Sequence, residues 1–306
     1  MDAFQEFDNT LGFFIGNEVI ALANQSNAAP YIKAAARDMK AYRDSKGYRK
    51  IPIGYCAADI AELRPMLQNY LACGTNSSET IDIFGLNAYE WCGNADFNTS
   101  GYSNLNDQAA DYSLPIFFSE TGCNKPAPRD FADQAAIFGP LMNDRWSGAI
   151  VYEWIEEANS YGLISYGQPL APTATGDGVE GGFSRSGTPS PVLPDFTNLQ
   201  SQWKTLTPAG TPSSAYSPDV TPPACPASTA GGWLVDPNDK LPTLNQVLIT
   251  SAPIASGTAG ASAATGSPTS SSTSATATKG SASGSKEIAG MSVGLVAVMM
   301  GFMYWL

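Results

Sequence analysis

Two glutamates stand where short apolar runs give out. Leu11–Gly16 (LGFFIG) leads into Asn17-Glu18, and the run that starts at Leu114 (LPIFFSE) ends on Ser119-Glu120. Two carboxyl groups flanking one bond are what glycoside cleavage needs. One is protonated and donates to the leaving oxygen, and the other attacks the anomeric carbon, about 5–5.5 Å away in enzymes that retain configuration. A single strand-end Glu is more often a solvated cap or a salt-bridge partner. The pair is more specific, with Asn17 placed to bind a sugar hydroxyl beside the acid. Aromatic residues close similar runs at Tyr55, at Tyr89 and Trp91, and at Tyr152 and Trp154, and their faces suit pyranose stacking. The chain has no histidine. That excludes Ser-His-Asp and Cys-His nucleophiles, His zinc sites and His proton shuttles. Neither a metal nor a cofactor is expected.

The elements that must position these residues alternate. Leu11–Gly16, Lys50–Tyr55, Ile81–Trp91, Leu114–Glu120 and Gly148–Trp154 read as strands, each a nearly continuous apolar run. Between them, Pro30–Lys46 reads as a helix with Pro in its first turn and basic residues toward its end, and Ala61–Ala72 and Asp130–Asn143 as two more. Phe4–Asp8 reads as the end of a helix and Phe196–Leu206 as a last one. Apolar strands alternating with helices predict an α/β fold with a parallel sheet, whose chemistry sits at the C-terminal strand ends. Those ends carry Asn17, Glu18, Tyr89, Glu120 and Tyr152. No Gly-rich phosphate loop follows any strand, which argues against a nucleotide fold.

Four motifs in this order, GFFIGNEVI (12–20), FGLNAYEWCG (84–93), PIFFSETGCN (115–124) and WSGAIVYEW (146–154), followed by Tyr161-Gly162-Leu163, resemble the fungal β-1,3-glucanosyltransferases of glycoside hydrolase family 72. The resemblance runs from about Asp2 to Cys225. It implies a retaining transglycosidase that cuts an internal β-1,3-glucan linkage, holds the donor as a glycosyl-enzyme and passes the new reducing end to another glucan. Carried over by motif, Glu18 is the acid/base, Glu120 the nucleophile, and Asn17, Tyr89 and Tyr152 bind substrate. It also implies disulfides Cys92–Cys123 and Cys73–Cys225, leaving Cys56 as a buried free thiol. Two departures stand out. Thr121 occupies a position where the family often has Tyr. The family's barrel has eight strands, and this chain shows only about strands 4–8. The fold expected is therefore an incomplete (β/α)8 TIM barrel, with roughly 150 residues of barrel lacking. A piece of this kind is expected to be insoluble or inactive, since open strands expose edges that a barrel closes. A non-catalytic cell-wall protein and a hydrolytic endo-β-1,3-glucanase are the competing functions.

The remaining sequence divides by composition. Residues 1–206 read as the C-terminal part of the barrel and 207–250 as a post-barrel segment. Residues 251–287 form a Ser/Thr/Ala/Gly-rich stalk too poor in apolar residues for a core, expected to be disordered. Residues 288–306 form an uncharged apolar stretch, expected to be helical, just long enough to span a bilayer. Stalk, small residues and apolar tail make a glycosylphosphatidylinositol (GPI) signal pattern, with a tail-anchored helix as the alternative. Cleavage is open between Ser274-Ala275-Thr276, Gly280-Ser281-Ala282 and Ser283-Gly284-Ser285. The location implied is the cell surface, yet Met1–Gly12 lacks the basic and apolar regions of a signal peptide, which points to a fragment or a misassigned start. Sequons at Asn24, Asn76 and Asn98 are N-glycosylation acceptors in a secretory lumen. A net charge of −12 argues against nucleic acid. The partners expected are glucan donor and acceptor chains and a membrane, with the protein monomeric.

Overall fold

Five short strands pair in sequence order. They are β1 (Phe13–Asn17), β2 (Ile53–Ala58), β3 (Ile83–Ala88), β4 (Ile116–Thr121) and β5 (Trp146–Val151), every neighbour parallel. The computed structural model describes residues 1–216 and 220–244. The stalk at 251–287 and the apolar stretch at 288–306 lie outside the described residues. Parallel neighbours need crossovers, and helices α1 (Ala29–Ser45), α2 (Arg64–Ala72), α3 (Tyr102–Gln108) and α4 (Asp133–Ile137) supply them. Small two-stranded pairs follow: β6 (Ile164–Ser165) with β9 (Ser190–Pro191), and β7 (Val179–Glu180) with β8 (Phe183–Ser184). A last helix, α5, spans Asp195–Thr205.

Strand periodicity divides the sheet residues between two faces. On one face Ile53, Tyr55 and Ala57, Phe84, Leu86 and Ala88, and Ile116 and Phe118 join Ile32 and Ala36 of α1 and Leu67 and Leu71 of α2 in one buried cluster. Phe118 lies stacked between Tyr102 and Trp146, at 5.0 and 4.0 Å between ring centroids. The other face carries Phe14 against Phe117, at 5.9 Å, and a polar row toward the C-terminal strand ends. Gly85 is required in that row. A Cβ there would lie 2.6 Å from Ser119 Oγ and 3.2 Å from Cys56 Sγ.

Buried cations on α1 tie the helix to loops. Lys33 Nζ donates to Tyr70 O and Cys73 O at 3.0 and 2.8 Å, and Arg43 Nη1 donates to Ile51 O at 2.8 Å. Lys40 Nζ reaches Asp82 at 2.6 Å, while the same carboxylate accepts from Ile53 N–H. The segment around Cys225 and Trp233 lies against this layer. Trp233 is fully buried and packs 5.5 Å from the Tyr70 ring. Ser26 Oγ donates to Gly232 O and accepts from Leu234 N–H, and Cys225 is joined to Cys73 across 152 residues.

Two expected helices are corrected. Phe4–Asp8 forms turns, with Phe7 O and Thr10 O both accepting from Arg49 Nη2 rather than continuing a helical ladder. The helix expected at 130–143 holds only over Asp133–Ile137. Gly139-Pro140 ends it, since Pro lacks an N–H and disfavours helical backbone in the residue before it.

Candidate active site

The site is built at the C-terminal ends of β1, β3, β4 and β5. Glu18 follows β1 with φ +50, a left-handed backbone uncommon for a non-glycine residue. Its N–H donates to Cys56 O at 2.9 Å, which pins this turn to β2. The strained turn carries the Glu18 side chain out of the strand's alternation. Asn87, 3% exposed near the end of β3, sits between the carboxylates. Its Nδ2 donates to Glu18 Oε1 at 2.9 Å and to Asn17 Oδ1 at 3.0 Å. Its Oδ1 accepts from Ser119 Oγ at 2.7 Å, which fixes the way the amide faces. In register, Asn87 pairs with Glu120 at a bulge between β3 and β4.

Glu120 accepts a short hydrogen bond from the Tyr89 hydroxyl. Burial raises the Glu120 pKa, the Tyr89 hydrogen bond opposes that rise, and the negative charges of Glu18 and Glu153 add to it. The Tyr89 phenol is held protonated by burial and by the carboxylate it serves. Tyr89 belongs to a set of three rings. It meets Tyr152 edge-on at 6.1 Å and Tyr161 at 5.8 Å, and those two meet at 5.3 Å. Behind the strand, Thr121 is fully buried, hydrogen-bonded to Tyr102 OH and to Asp133, each at 2.9 Å. The Cys92–Cys123 disulfide ties the loop after Tyr89 to the loop after Glu120.

Asn17, Glu18, Tyr89, Glu120 and Tyr152 therefore share one place. Two other strand-end aromatics pack elsewhere. Tyr55 lies on the helix side, fully buried, its hydroxyl accepting from Ile20 N–H at 3.4 Å. Trp91 packs edge-on against Tyr102 at 5.2 Å. Trp154 stands 59% exposed just past β5. Cys56 is a buried free thiol, pushed up to about 12 chiefly by burial. Asn24, Asn76 and Asn98 are all exposed. Among the described residues no group of three His, Cys, Asp or Glu side chains could hold a metal ion, and no helix is long and apolar enough to cross a membrane.

Sequence reasoning gave no role to Asn87, Ser119, Tyr161 or Arg129. Asn87 and Ser119 could have been found as polar residues on the otherwise apolar inner rows of β3 and β4. Tyr161 had a cue in the glycine that follows it. A Cβ at Gly162 would lie 2.1 Å from Glu156 Cα, so this turn closes only with glycine.

A parallel α/β sheet with paired strand-end carboxylates and a tyrosine cluster has the form of a carbohydrate-active enzyme. The comparisons with known proteins give the family. The profile of the glucanosyltransferases, glycoside hydrolase family 72, matches residues 1–173, and the chain belongs to this family. It is 40% identical over 258 residues to the 1,3-beta-glucanosyltransferase gas2 of Schizosaccharomyces pombe, covering 82% of this chain and 52% of that protein. It is 39% identical over 265 residues to 1,3-beta-glucanosyltransferase GAS5 of Saccharomyces cerevisiae, covering 86% and 49%. Among solved structures, S. cerevisiae Gas2p in complex with laminaritriose and laminaritetraose matches with a TM-score of 0.66 at 35% identity, covering 79% of this chain and 50% of that one. The chain thus spans about half the length of these relatives.

Proposed function

We propose that this chain carries the catalytic carboxylates of a β-1,3-glucanosyltransferase. The observation behind the reading is the joint held by Asn87. One buried amide, oriented by Ser119, bonds Glu18 and pairs in register with Glu120, while Tyr89 holds the second carboxylate. In the first half-reaction Glu120 attacks the anomeric carbon and Glu18 protonates the departing glucan oxygen. In the second, Glu18 takes the proton from an acceptor hydroxyl, which displaces Glu120 and restores the configuration. Asn17 and Tyr152 contact the donor sugar. The negative charge around the site favours the positive charge that develops at the anomeric carbon.

The wider organisation belongs to the same reading. Residues 1–206 are part of an eight-stranded barrel, 207–250 a post-barrel segment, 251–287 a stalk and 288–306 a GPI-attachment signal that places the enzyme at the cell surface. The substrates are glucan donor and acceptor chains, and the Gas2p complex with laminari-oligosaccharides supports that class. One observation favours a second reading, in which the chain alone is inactive. Strands β1 and β5 each pair on one side only among the described residues. Product sizing after incubation with a reduced laminari-oligosaccharide decides between them. Products longer than the donor require transfer, shorter products alone indicate an endoglucanase, and an unchanged donor supports the inactive reading.

A further inference from the structure

The structure assigns Arg129 a positioning role: its guanidinium fixes the two backbone segments that present Tyr152 and Tyr161 to Tyr89, and through Tyr89 it aligns Glu120. This inference rests on the reading of Glu120 as the nucleophile. Arg129 lies in the loop between β4 and α4 and is 3% exposed. Nη1 donates to Tyr152 O at 2.8 Å and Nη2 to Tyr161 O at 2.5 Å. Nε donates to Asp195 Oδ2 at 2.9 Å, and the Arg129 N–H donates to Asp195 Oδ1 at 3.2 Å. The guanidinium carbon also lies 4.7 Å from the Phe131 ring centroid and 5.7 Å from that of Tyr161.

This geometry is specific to a planar fork. One group spans two carbonyls from chain segments nine residues apart in sequence while its third edge meets a carboxylate, which a lysine ammonium cannot reproduce. Gly122 opens the approach. A Cβ there would lie 3.3 Å from Tyr152 O and 3.5 Å from Arg129 Nη1. The segments so held connect directly to the nucleophile's strand, because Tyr152 N–H donates to Thr121 O at 2.9 Å, one residue past Glu120. Asp195 opens α5, so a carboxylate at a helix N-terminus balances the buried cation. Arg129 touches none of the reacting atoms. Its effect reaches them through the tyrosine rings, whose edge-on contacts leave little freedom to the Tyr89 hydroxyl. A misplacement of about 1 Å at a reacting group costs on the order of a hundredfold in rate.

The test is a double-mutant cycle in the full chain, with Arg129→Lys, Tyr89→Phe and both together. Kinetics on laminari-oligosaccharide donors are joined by near-UV circular dichroism of the tyrosines. Arg129→Lys should lower kcat by about ten- to a hundredfold while KM moves by less than about threefold, and should change the tyrosine band. If Arg129 acts through Tyr89, the double variant loses no more than the worse single one. A merely structural role gives additive losses, and additivity overturns the inference, as does wild-type kcat in Arg129→Lys. Should Arg129→Lys fail to fold, Asp195→Asn replaces it in the same cycle, with a smaller loss of the same kind expected and unchanged kcat overturning the idea. A wild-type chain without transfer activity overturns the function proposed above instead. The circular dichroism of Arg129→Lys then decides this inference alone, and an unchanged tyrosine band refutes it.

Discussion

Removing one oxygen atom, by Tyr89→Phe, probes the centre of the site. The ring remains and keeps its edge-on contacts with Tyr152 and Tyr161, so packing is little disturbed. What is lost is the hydrogen bond to Glu120. Hydrogen bonds to a charged group contribute about 1.5–3 kcal/mol. If that whole amount bears on the first chemical step, kcat falls by roughly 10- to 150-fold at about 1.4 kcal/mol per factor of ten. A second effect has a definite sign. Among the influences on Glu120, the Tyr89 hydrogen bond is the largest that opposes the rise caused by burial. Without it the carboxyl holds its proton to higher pH. A carboxylate that acts as the proposed nucleophile must be ionised, so the acidic limb of the kcat/KM profile should move toward neutrality. Initial rates of oligosaccharide transfer, measured across the acidic range for both proteins, give both quantities. An unchanged rate with an unmoved acidic limb would refute the assignment of Tyr89 as the partner of the nucleophile.

The other predictions concern the carboxylates and the staple. Glu120→Gln should remove detectable turnover and Glu18→Gln should lower it by about 10²–10⁴-fold; appreciable activity in either contradicts the roles of nucleophile and acid/base. Glu120→Gln should also raise the thermal midpoint near neutral pH. The folded-state pKa of Glu120 lies above its ordinary value of 4.5, so the ionised group costs stability at higher pH and nothing below that value. The gain should therefore fade as pH falls through the carboxylate range, and a gain that persists there speaks against the burial argument. Replacing Cys73 and Cys225 together by Ser should destabilise the protein by about 2–5 kcal/mol, read by thermal or denaturant unfolding; no loss would show that the staple is idle. Ser26→Ala removes both hydrogen bonds that hold residues 232–234 and should cost about 1–3 kcal/mol. A change within error would mean that Trp233 burial alone seats the segment.

How much was legible follows from what each residue interacts with. The five strands were visible because each is an apolar run, mostly buried in β2, β3 and β4 and mostly half-buried in β1 and β5, and the strand-end residues followed from the parallel topology. Helix α3 was not. Its sequence YSNLNDQ is short and polar, entered through Gly101 at φ +85, with Tyr102 and Leu105 buried by tertiary packing alone. Tyr55 misled because a strand-end aromatic has the same sequence signature whether it faces a cleft or a helix layer. Arg129 was hidden for a different reason. Two of its partners are backbone carbonyls and the third is 66 residues away, so no local motif records them. Asn87 lies inside the FGLNAYEWCG motif, but its place as the link between the carboxylates was hidden, since that depends on a bulge and on Ser119.

The seating of Trp233 bears on the order in which the molecule can be completed. Ser26 is hydrogen-bonded to Gly232 across 206 residues, and Trp233 fills the layer formed by α1 and α2. A ribosome adds roughly 5–20 residues per second, so that groove stands unfilled for about 8–32 s after α2, its second wall, has been made. Through this interval a nascent chain presents the apolar ring of Tyr70 and an unpaired Cys73 to its surroundings. Vectorial synthesis therefore makes the filling of this groove and the closing of the Cys73–Cys225 disulfide late events, timed by the emergence of Cys225 and Trp233.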